Sequence, residues 1–433
     1  MSSASLTTYR FLFRLLSVPL WLYLMFRCMR GKEHYDRLSE RWGQGYQTIR
    51  PKGQLIWCHA VSVGESVAAL RLASHLRAER PDIAILVTTN TVTAADKLQA
   101  DDSIIQCFQP LDNQKWVARF LDYWHPDGAI ILESDFWPEM MIATAERNIP
   151  LYAASAQLSE RSAQNWGRYP DLAAQMFSAP RRWYAVDSSH AEQITRLIAN
   201  ENGRHMPTDR KPDIIVAGSL KLPPRALSPD DNIARRLLQQ AGERMILLLA
   251  SSHEGEEELI LTITSEARQA GELLVILAPR HPDRSSHLAG LAAPALMLSG
   301  PRWGLDDNGI IICDQMGVMD SLYDVAHLII LGGSFVPRGG HNPVEPARAV
   351  KPVITGPSDE KNTAEIAAFA ETGLLIHCQD KEELTAVLMN FLSQYQNNTP
   401  LLEDTVNRAA TGYLDQIYRR PEKIAQQICA DLV

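Results

Sequence analysis

The sequence has no long hydrophobic run. Its 433 residues hold one lipid-like stretch, TYRFLFRLLSVPLWLYLMF at 8–26, whose uninterrupted part, Leu15–Phe26, is 12 residues long and includes Ser17 and Pro19. A membrane-crossing helix needs about 20. No small-residue cleavage site follows, which argues against a secretory signal. Cysteine is scarce: Cys28, Cys58, Cys107, Cys313, Cys378 and Cys429 show no metal-type or redox-type spacing and read as reduced thiols of a cytoplasmic protein. Positive charge is in deficit, with a formal net charge of -9, which argues against general nucleic-acid binding. Walker A, G-x-S-x-G, H-E-x-x-H and paired C-x-x-C motifs are missing, which weakens ATPase, serine-hydrolase and zinc-enzyme readings.

What is present is a chain long enough for two or three domains and apolar enough to fold, at 45% hydrophobic residues. Its start is locally basic: Arg27, Arg30, Lys32, Arg37, Arg41 and Arg50 stand against Glu33, Asp36 and Glu40. Arg10 and Arg14 can snorkel and lengthen the hydrophobic stretch, and the cations after it suit a cytoplasmic flank. The stretch reads as a monotopic or marginally spanning anchor; the bland alternative is a buried N-terminal helix.

Short apolar runs alternate with amphipathic ones, the signature of a parallel sheet covered on both faces. Strands are expected at Leu55–Ala60, Ile83–Thr89, Ile104–Phe108, Gly128–Leu132, Leu151–Ala154, Trp183–Val186 and Ile214–Ala217. Proline-rich PTDRKPD (207–213) and KLPPRALSPDD (221–231) read as a linker. The pattern restarts at Met245–Ala250, Leu273–Ala278, Gly309–Ile312, Leu328–Leu331, Val353–Ile354 and Leu374–Ile376. Two such halves imply a cleft with ligands at the carboxyl ends of the strands. The helical segment Gly412–Val433 is expected to pack back across the halves.

Polar and glycine residues cluster after predicted strands in several places. HAVSVGE (59–65) turns through Gly64 into a helix. In dinucleotide-binding folds such a turn holds a phosphate on free backbone N–H groups. Here it carries Glu65, which repels one. The helix dipole favours the ionised carboxylate by roughly 0.3–1 kcal/mol, and that carboxylate can take a proton from a hydroxyl; a plain helix-start acid accounts for it equally well. In LESDFWPE (132–139), Glu133 and Asp135 point to the same side if the segment is extended, as an acid/base pair or as metal ligands. Asp135 also reads as the cap of the helix that Pro138 opens; Glu133 lies too far upstream to cap.

In LAPRHPDR (277–284), Arg280 follows a buried strand, where a fixed guanidinium can hold a phosphate; His281 reads as well as an ordinary loop histidine. SSHEGEEE (251–258) directs His253 and Glu254 to the expected cleft and Glu257 and Glu258 to solvent. In LGGSFVPRGGHNPVEPA (331–347), Gly332, Gly333, Gly339 and Gly340 permit close backbone approach. Asn342 is expected to cap a helix with Pro343 at its first position. A glycine-rich loop feeding a helix N-terminus is an anion site, and Glu345 in the first turn suits ribose hydroxyls.

Taken in order over residues 53–357, these stretches resemble the 3-deoxy-D-manno-octulosonic acid (Kdo) transferases of lipopolysaccharide synthesis. The matching stretches are HAVSVGE, ESDFWP, GSLK at 218–221, SSHEGEE, PRHP at 279–282, Met316–Gly317 and GGSFVPRGGHNPVEPA, with a similar hydrophobic segment before them. The resemblance implies an α/β, GT-B type fold: two Rossmann-like domains facing a central cleft, with an N-terminal anchor helix. The expected divisions are an anchoring segment (1–30), an acceptor-side domain (31–221), a CMP-Kdo-binding domain (222–411) and a C-terminal helix (412–433). It implies inverting transfer from CMP-Kdo without metal or other cofactor. The implied acceptor is the phosphorylated glucosamine-disaccharide lipid precursor of lipid A, a lipid IVA-like molecule, at the cytoplasmic face of the bacterial inner membrane, with no nucleic-acid partner. The family's general base matches Glu65, and its transition-state stabilising positions match Glu133 and Lys221. Its CMP contacts match Pro279, Arg280, Met316, Gly317, Val318, Asn342, Pro343, Val344 and Glu345; His253, Gly339 and Gly340 join them as substrate-binding candidates.

There are departures. Ser155-Ala156-Gln157 replace the family's Asn-Ala-Arg, removing a positive side chain, and Leu222-Pro223 replace Phe-Asp. Ser134-Asp135-Phe136 stand for Thr-Glu-Leu, and Glu139 for Asn. These bear on the acceptor and on the number of sugars added more than on the donor. Two other readings stay open: a GT-B enzyme using a UDP-sugar on another membrane lipid, and a catalytically silent lipid-binding scaffold.

Overall fold

The computed structural model describes residues 4–99, 101–199, 211–300 and 308–432; residues 207–210 of the expected linker lie outside the described residues. Two compact units are present, Met1–Lys221 with Arg419–Val433, and Leu222–Tyr418. In the first unit the strands are β1 (Leu55–His59), β2 (Ala84–Thr89), β3 (Ile105–Phe108), β4 (Gly128–Leu132), β5 (Leu151–Ala156), β6 (Arg182–Ala185) and β7 (Asp213–Val216). They form one sheet in the order β3-β2-β1-β4-β5-β6-β7, and every pairing is parallel. Period-2 alternation splits each strand between two faces. Leu55 and Trp57 enter one core, with Phe120, Trp124 and Trp183, while Ile56 and Cys58 enter the other.

The second unit repeats the plan with β8 (Met245–Ser252), β9 (Leu273–Pro279), β10 (Leu296–Met297), β11 (Ile310–Ile312), β12 (Leu328–Leu331), β13 (Val353–Thr355) and β14 (Leu375–His377). Their order is β10-β11-β9-β8-β12-β13-β14, again all parallel. The two-residue edge strand β10 is too short to leave a sequence pattern. The inner strands of both sheets are buried on both faces, which is why they read as near-continuous apolar runs, whereas the edge strand β7 is part-exposed.

The strand order reverses at β1/β4 in the first sheet and at β8/β12 in the second. At such a switch point the loops after adjacent strands diverge to opposite faces and leave a crevice at the carboxyl ends. HAVSVGE, ESDFWP, SSHEGEE and the glycine-rich motif follow these four strands, PRHP follows β9, GSLK follows β7 and Met316–Gly317 follows β11.

The segment from Gly412 onward is divided between two helices. The helix Asp404–Tyr418 buries Ala410, Leu414 and Ile417 in the second unit. The helix Arg420–Asp431, with Pro421 in its first turn, returns to the first unit. There Ile424, Ala425, Ile428 and Cys429 share a core with Leu72 and Leu76.

The hydrophobic N-terminus is two helices, α1 (Ala4–Leu15) and α2 (Ser17–Met29), bent by 51°. Pro19 has no N–H for the carbonyl of Leu15, which breaks the ladder. Among the described residues no single helix is long and apolar enough to cross a membrane. α1 is docked: Leu6 is buried in the core, Tyr9 donates to Asp112 at 2.6 Å, and Arg10 Nε lies 2.6 Å from Glu139. Arg10 is therefore not a snorkelling side chain, because its guanidinium is committed to Glu139 and Glu146. α2 differs: Val18, Trp21, Leu22, Tyr23, Phe26 and Met29 are exposed.

Candidate active site

In the first unit the rim is built where β1 and β4 end. After β1 the chain turns into α3 (Val63–Glu79), whose N-cap is Ser62. Ser62 Oγ accepts from the Glu65 N–H at 3.3 Å. In return Glu65 accepts from the Ser62 hydroxyl and from the Val61 N–H, both at 2.8 Å. The carboxylate thus occupies the Val61 N–H just before the N-cap, in the turn where a phosphate was expected. The helix-start and general-base readings of Glu65 are thus compatible. A Cβ on Gly64 would come within 2.7 Å of Lys221 Cε, so the Lys221 chain runs over the first turn of α3 beside Glu65.

Lys221 Nζ lies 2.8 Å from Glu133 Oε1 and donates to Oε2 at 2.9 Å. Glu133 sits in the left-handed region at φ 61, a conformation that costs a non-glycine residue on the order of 1 kcal/mol. The backbone thus turns at the end of β4, and residues 133–135 are not the extended pair expected. The turn is held by the Glu133 N–H on the Ala154 carbonyl and the Gln157 N–H on the Glu133 carbonyl. Burial pushes the Glu133 carboxyl upward; Lys221 opposes this and Glu65 adds to it. The Glu65 and Glu133 charges and the Lys221 ammonium therefore form one cluster.

Asp135 is not a helix cap. Its Oδ2 accepts from His59 Nε2 at 2.8 Å and from Asn90 Nδ2 at 3.2 Å. The buried His59 contacts Thr88 Oγ1 through Nδ1, and Asn90 is bonded in turn by Arg41. The helix Pro138–Glu146 is capped from a distance: Asp112 accepts the N–H groups of Glu139 and Met140 at 2.9 and 2.8 Å.

In the second unit the glycine-rich loop after β12 meets the helix Glu256–Ile263. A Cβ on Gly332 would lie 2.4 Å from the Ser251 carbonyl oxygen, and Gly333 has φ 69. The amides of Gly333, Ser334 and Phe335 are not open to a phosphate. The buried Glu256 carboxylate accepts from Gly333 (2.8 Å), Ser334 (3.1 Å), Phe335 (3.0 Å) and His253 (2.9 Å). Glu257, expected in solvent, is buried on Arg284 and Ser252. Glu258 is exposed and accepts from the Gly255 N–H. Helix geometry turns the first two acids of this run inward.

The expected helix after Asn342 is a single turn, Val344–Ala347, preceded by Pro343. Asn342 Oδ1 accepts from the Val344 N–H at 2.9 Å. One turn has little dipole, so an anion here must be held by side chains. Arg280 supplies one at the end of β9. Its N–H is fixed on the Ser252 carbonyl and its side chain is exposed. Glu345 is surface-accessible, yet the surrounding protein pushes its carboxyl upward, with Arg348 and Arg280 opposing. Met316 is 76% exposed, Gly317 has φ 79, and Val318 leads the helix Met319–Val325. Gly339 and Gly340 have φ 81 and 66.

His253 faces a partner that sequence reasoning missed. Its Nε2 lies 3.0 Å from His341 Nε2, and the rings stack at 5.2 Å. Burial, with cations nearby, pushes His341 down to about 4. His341 lies inside the glycine-rich motif, so a histidine between two glycines and Asn342 was the available signal.

The 3-Deoxy-D-manno-octulosonic-acid transferase (kdotransferase) family model matches residues 36–214. The chain is similar to the 3-deoxy-D-manno-octulosonic acid transferase of Haemophilus influenzae, 31% identical over 343 residues that cover 76% of each chain. It is similar to that of Rickettsia bellii, 30% identical over 422 residues covering 93% of this chain and 96% of the other. Among solved structures, a glycosyltransferase from Rickettsia africae superposes with a TM-score of 0.55 at 13% identity, covering 87% of this chain and 99% of that one.

Proposed function

The chain belongs to the 3-deoxy-D-manno-octulosonic acid transferase family, a family of glycosyltransferases, and we propose that it moves Kdo from CMP-Kdo to a phosphorylated glucosamine-disaccharide lipid with inversion at the anomeric carbon. The first unit supplies the acceptor chemistry. Glu65 takes the proton of an acceptor hydroxyl, that oxygen forms the bond to the anomeric carbon, and the bond to the CMP phosphate oxygen breaks. Lys221, held by Glu133, places a positive charge beside the base. The second unit supplies the donor chemistry. Arg280 answers the charge on the departing phosphate, and Asn342, Glu345 and the Met316–Val318 loop surround the nucleotide.

The observation that carries this reading is the Glu65–Lys221–Glu133 cluster, with Lys221 2.8 Å from Glu133 and lying over Gly64. The exposed apolar face of α2 and the basic residues after it support work at the cytoplasmic surface of an inner membrane. The test is Glu65→Gln, with CMP-Kdo and the lipid precursor. Turnover should fall about 100-fold or more, as expected for loss of a general base, with an unchanged thermal transition. Near-normal turnover overturns the base assignment.

A further inference from the structure

Around the stacked His253–His341 pair the second unit gathers cations that form no ion pair among the described residues, although Glu345 lies within the electrostatic reach of Arg280 and Glu257 within that of His253. The Lys361 side chain lies over the Gly339 turn, where a Cβ would meet its Cγ at 2.9 Å, and its Nζ donates to the Arg338 carbonyl at 2.5 Å. Arg280 and Lys361 both disfavour a charge on His341, and Arg338 disfavours one on His253, so all three lie near the ring pair. Among the described residues none of the three is in an ion pair. The nearby arginines differ: Arg284 is answered by Glu257 and Arg348 by Asp320. The acids beside Lys361 are engaged elsewhere, Asp359 with His377 and Glu360 with Ser358.

Burial pushes both rings toward the neutral form. Their Nε2 atoms face each other at 3.0 Å, a contact that one donor and one acceptor satisfy when both rings are neutral. The stacked pair is a flat wall held together by its own ring contact. Three cations grouped on such a wall repel one another unless anions join them. A CMP-linked donor brings one negative charge on its phosphate, and an octulosonic acid brings a second, its carboxylate.

We propose that Arg338 and Lys361, against the His253–His341 wall, form a carboxylate subsite for the donor's sugar, separate from the phosphate contact of Arg280. The proposal rests on the CMP-Kdo reading above and deepens it. A guanidinium matches a carboxylate with two parallel hydrogen bonds, so the subsite selects an acidic sugar over a neutral one.

The test compares two ligands that differ in that carboxylate. For Arg338→Gln and Lys361→Gln, alone and together, the KM for CMP-Kdo and the inhibition constant of CMP are measured. Both side chains are exposed, so the fold is expected to survive, and a thermal melt checks it. The double variant should raise the KM for CMP-Kdo at least about tenfold, the worth of one charge-assisted hydrogen bond, with the CMP constant changed less than about twofold. A parallel loss in both constants assigns the cations to the phosphate and overturns the subsite; so does no change in either. A wild-type protein that CMP does not inhibit defeats the donor reading itself, a different result from either.

Discussion

Glu65, Glu256 and Asp112 each spend a carboxylate on backbone N–H groups: the first at the start of α3, the second on the glycine-rich loop, the third on the helix Pro138–Glu146. Only the first was readable from local spacing, because Ser62 and Glu65 are three apart. The other two act between segments 27 to 79 residues apart, and no local pattern records them. The same limit hid the Asp135–His59 contact. The histidine pair yields a pH prediction. His341 is held down to about 4 from 6.5, so the unfolded chain binds more protons in that interval. Stability then falls as the pH drops from about 6.5 toward 4, by up to about 2 kcal/mol for one ring by pH 5. Urea unfolding at pH 7 and pH 5 should show this loss in the wild type and a smaller one in His341→Gln. An equal loss in both contradicts it.

At the scale of elements, α1 and the helix Arg420–Asp431 are the two ends of the chain, and both fold onto the first unit. α1 is held by a few polar contacts and one buried leucine. Arg10→Ala leaves the buried Glu139 without its partner and should cost about 2 kcal/mol. Amide hydrogen exchange within Ala4–Leu15 should quicken more than tenfold while β1 stays protected. Unchanged exchange would show that Arg10 does not hold the helix. The last helix is held by apolar packing instead. Ile428→Ala should destabilise by about 2–5 kcal/mol, lowering the unfolding of the first unit and leaving that of the second in place. The exposed face of α2 was legible as a hydrophobic stretch. Its separation from α1 was not, because only the contacts of Tyr9 and Arg10 show which part is docked.

At the scale of the whole molecule, two sheets of the same parallel plan each bring two of their motifs to the carboxyl ends of strands at a switch in strand order. The strands were readable because doubly buried parallel strands are apolar throughout, as in Met245–Ser252 and Gly128–Leu132. Which motif meets which was not readable, since strand order is not encoded locally. Glu133 and Lys221 are 88 residues apart and meet at 2.9 Å, and His253 and His341 are likewise 88 apart. The central claim, that this chain transfers Kdo from a CMP donor to a lipid, is tested most directly by mass spectrometry of the lipid after incubation of the purified protein with CMP-Kdo and the glucosamine-disaccharide precursor. The account predicts a lipid heavier by one or more whole Kdo residues, with CMP released in equal number. An unmodified lipid, or one modified only when a UDP-sugar is supplied, would contradict it.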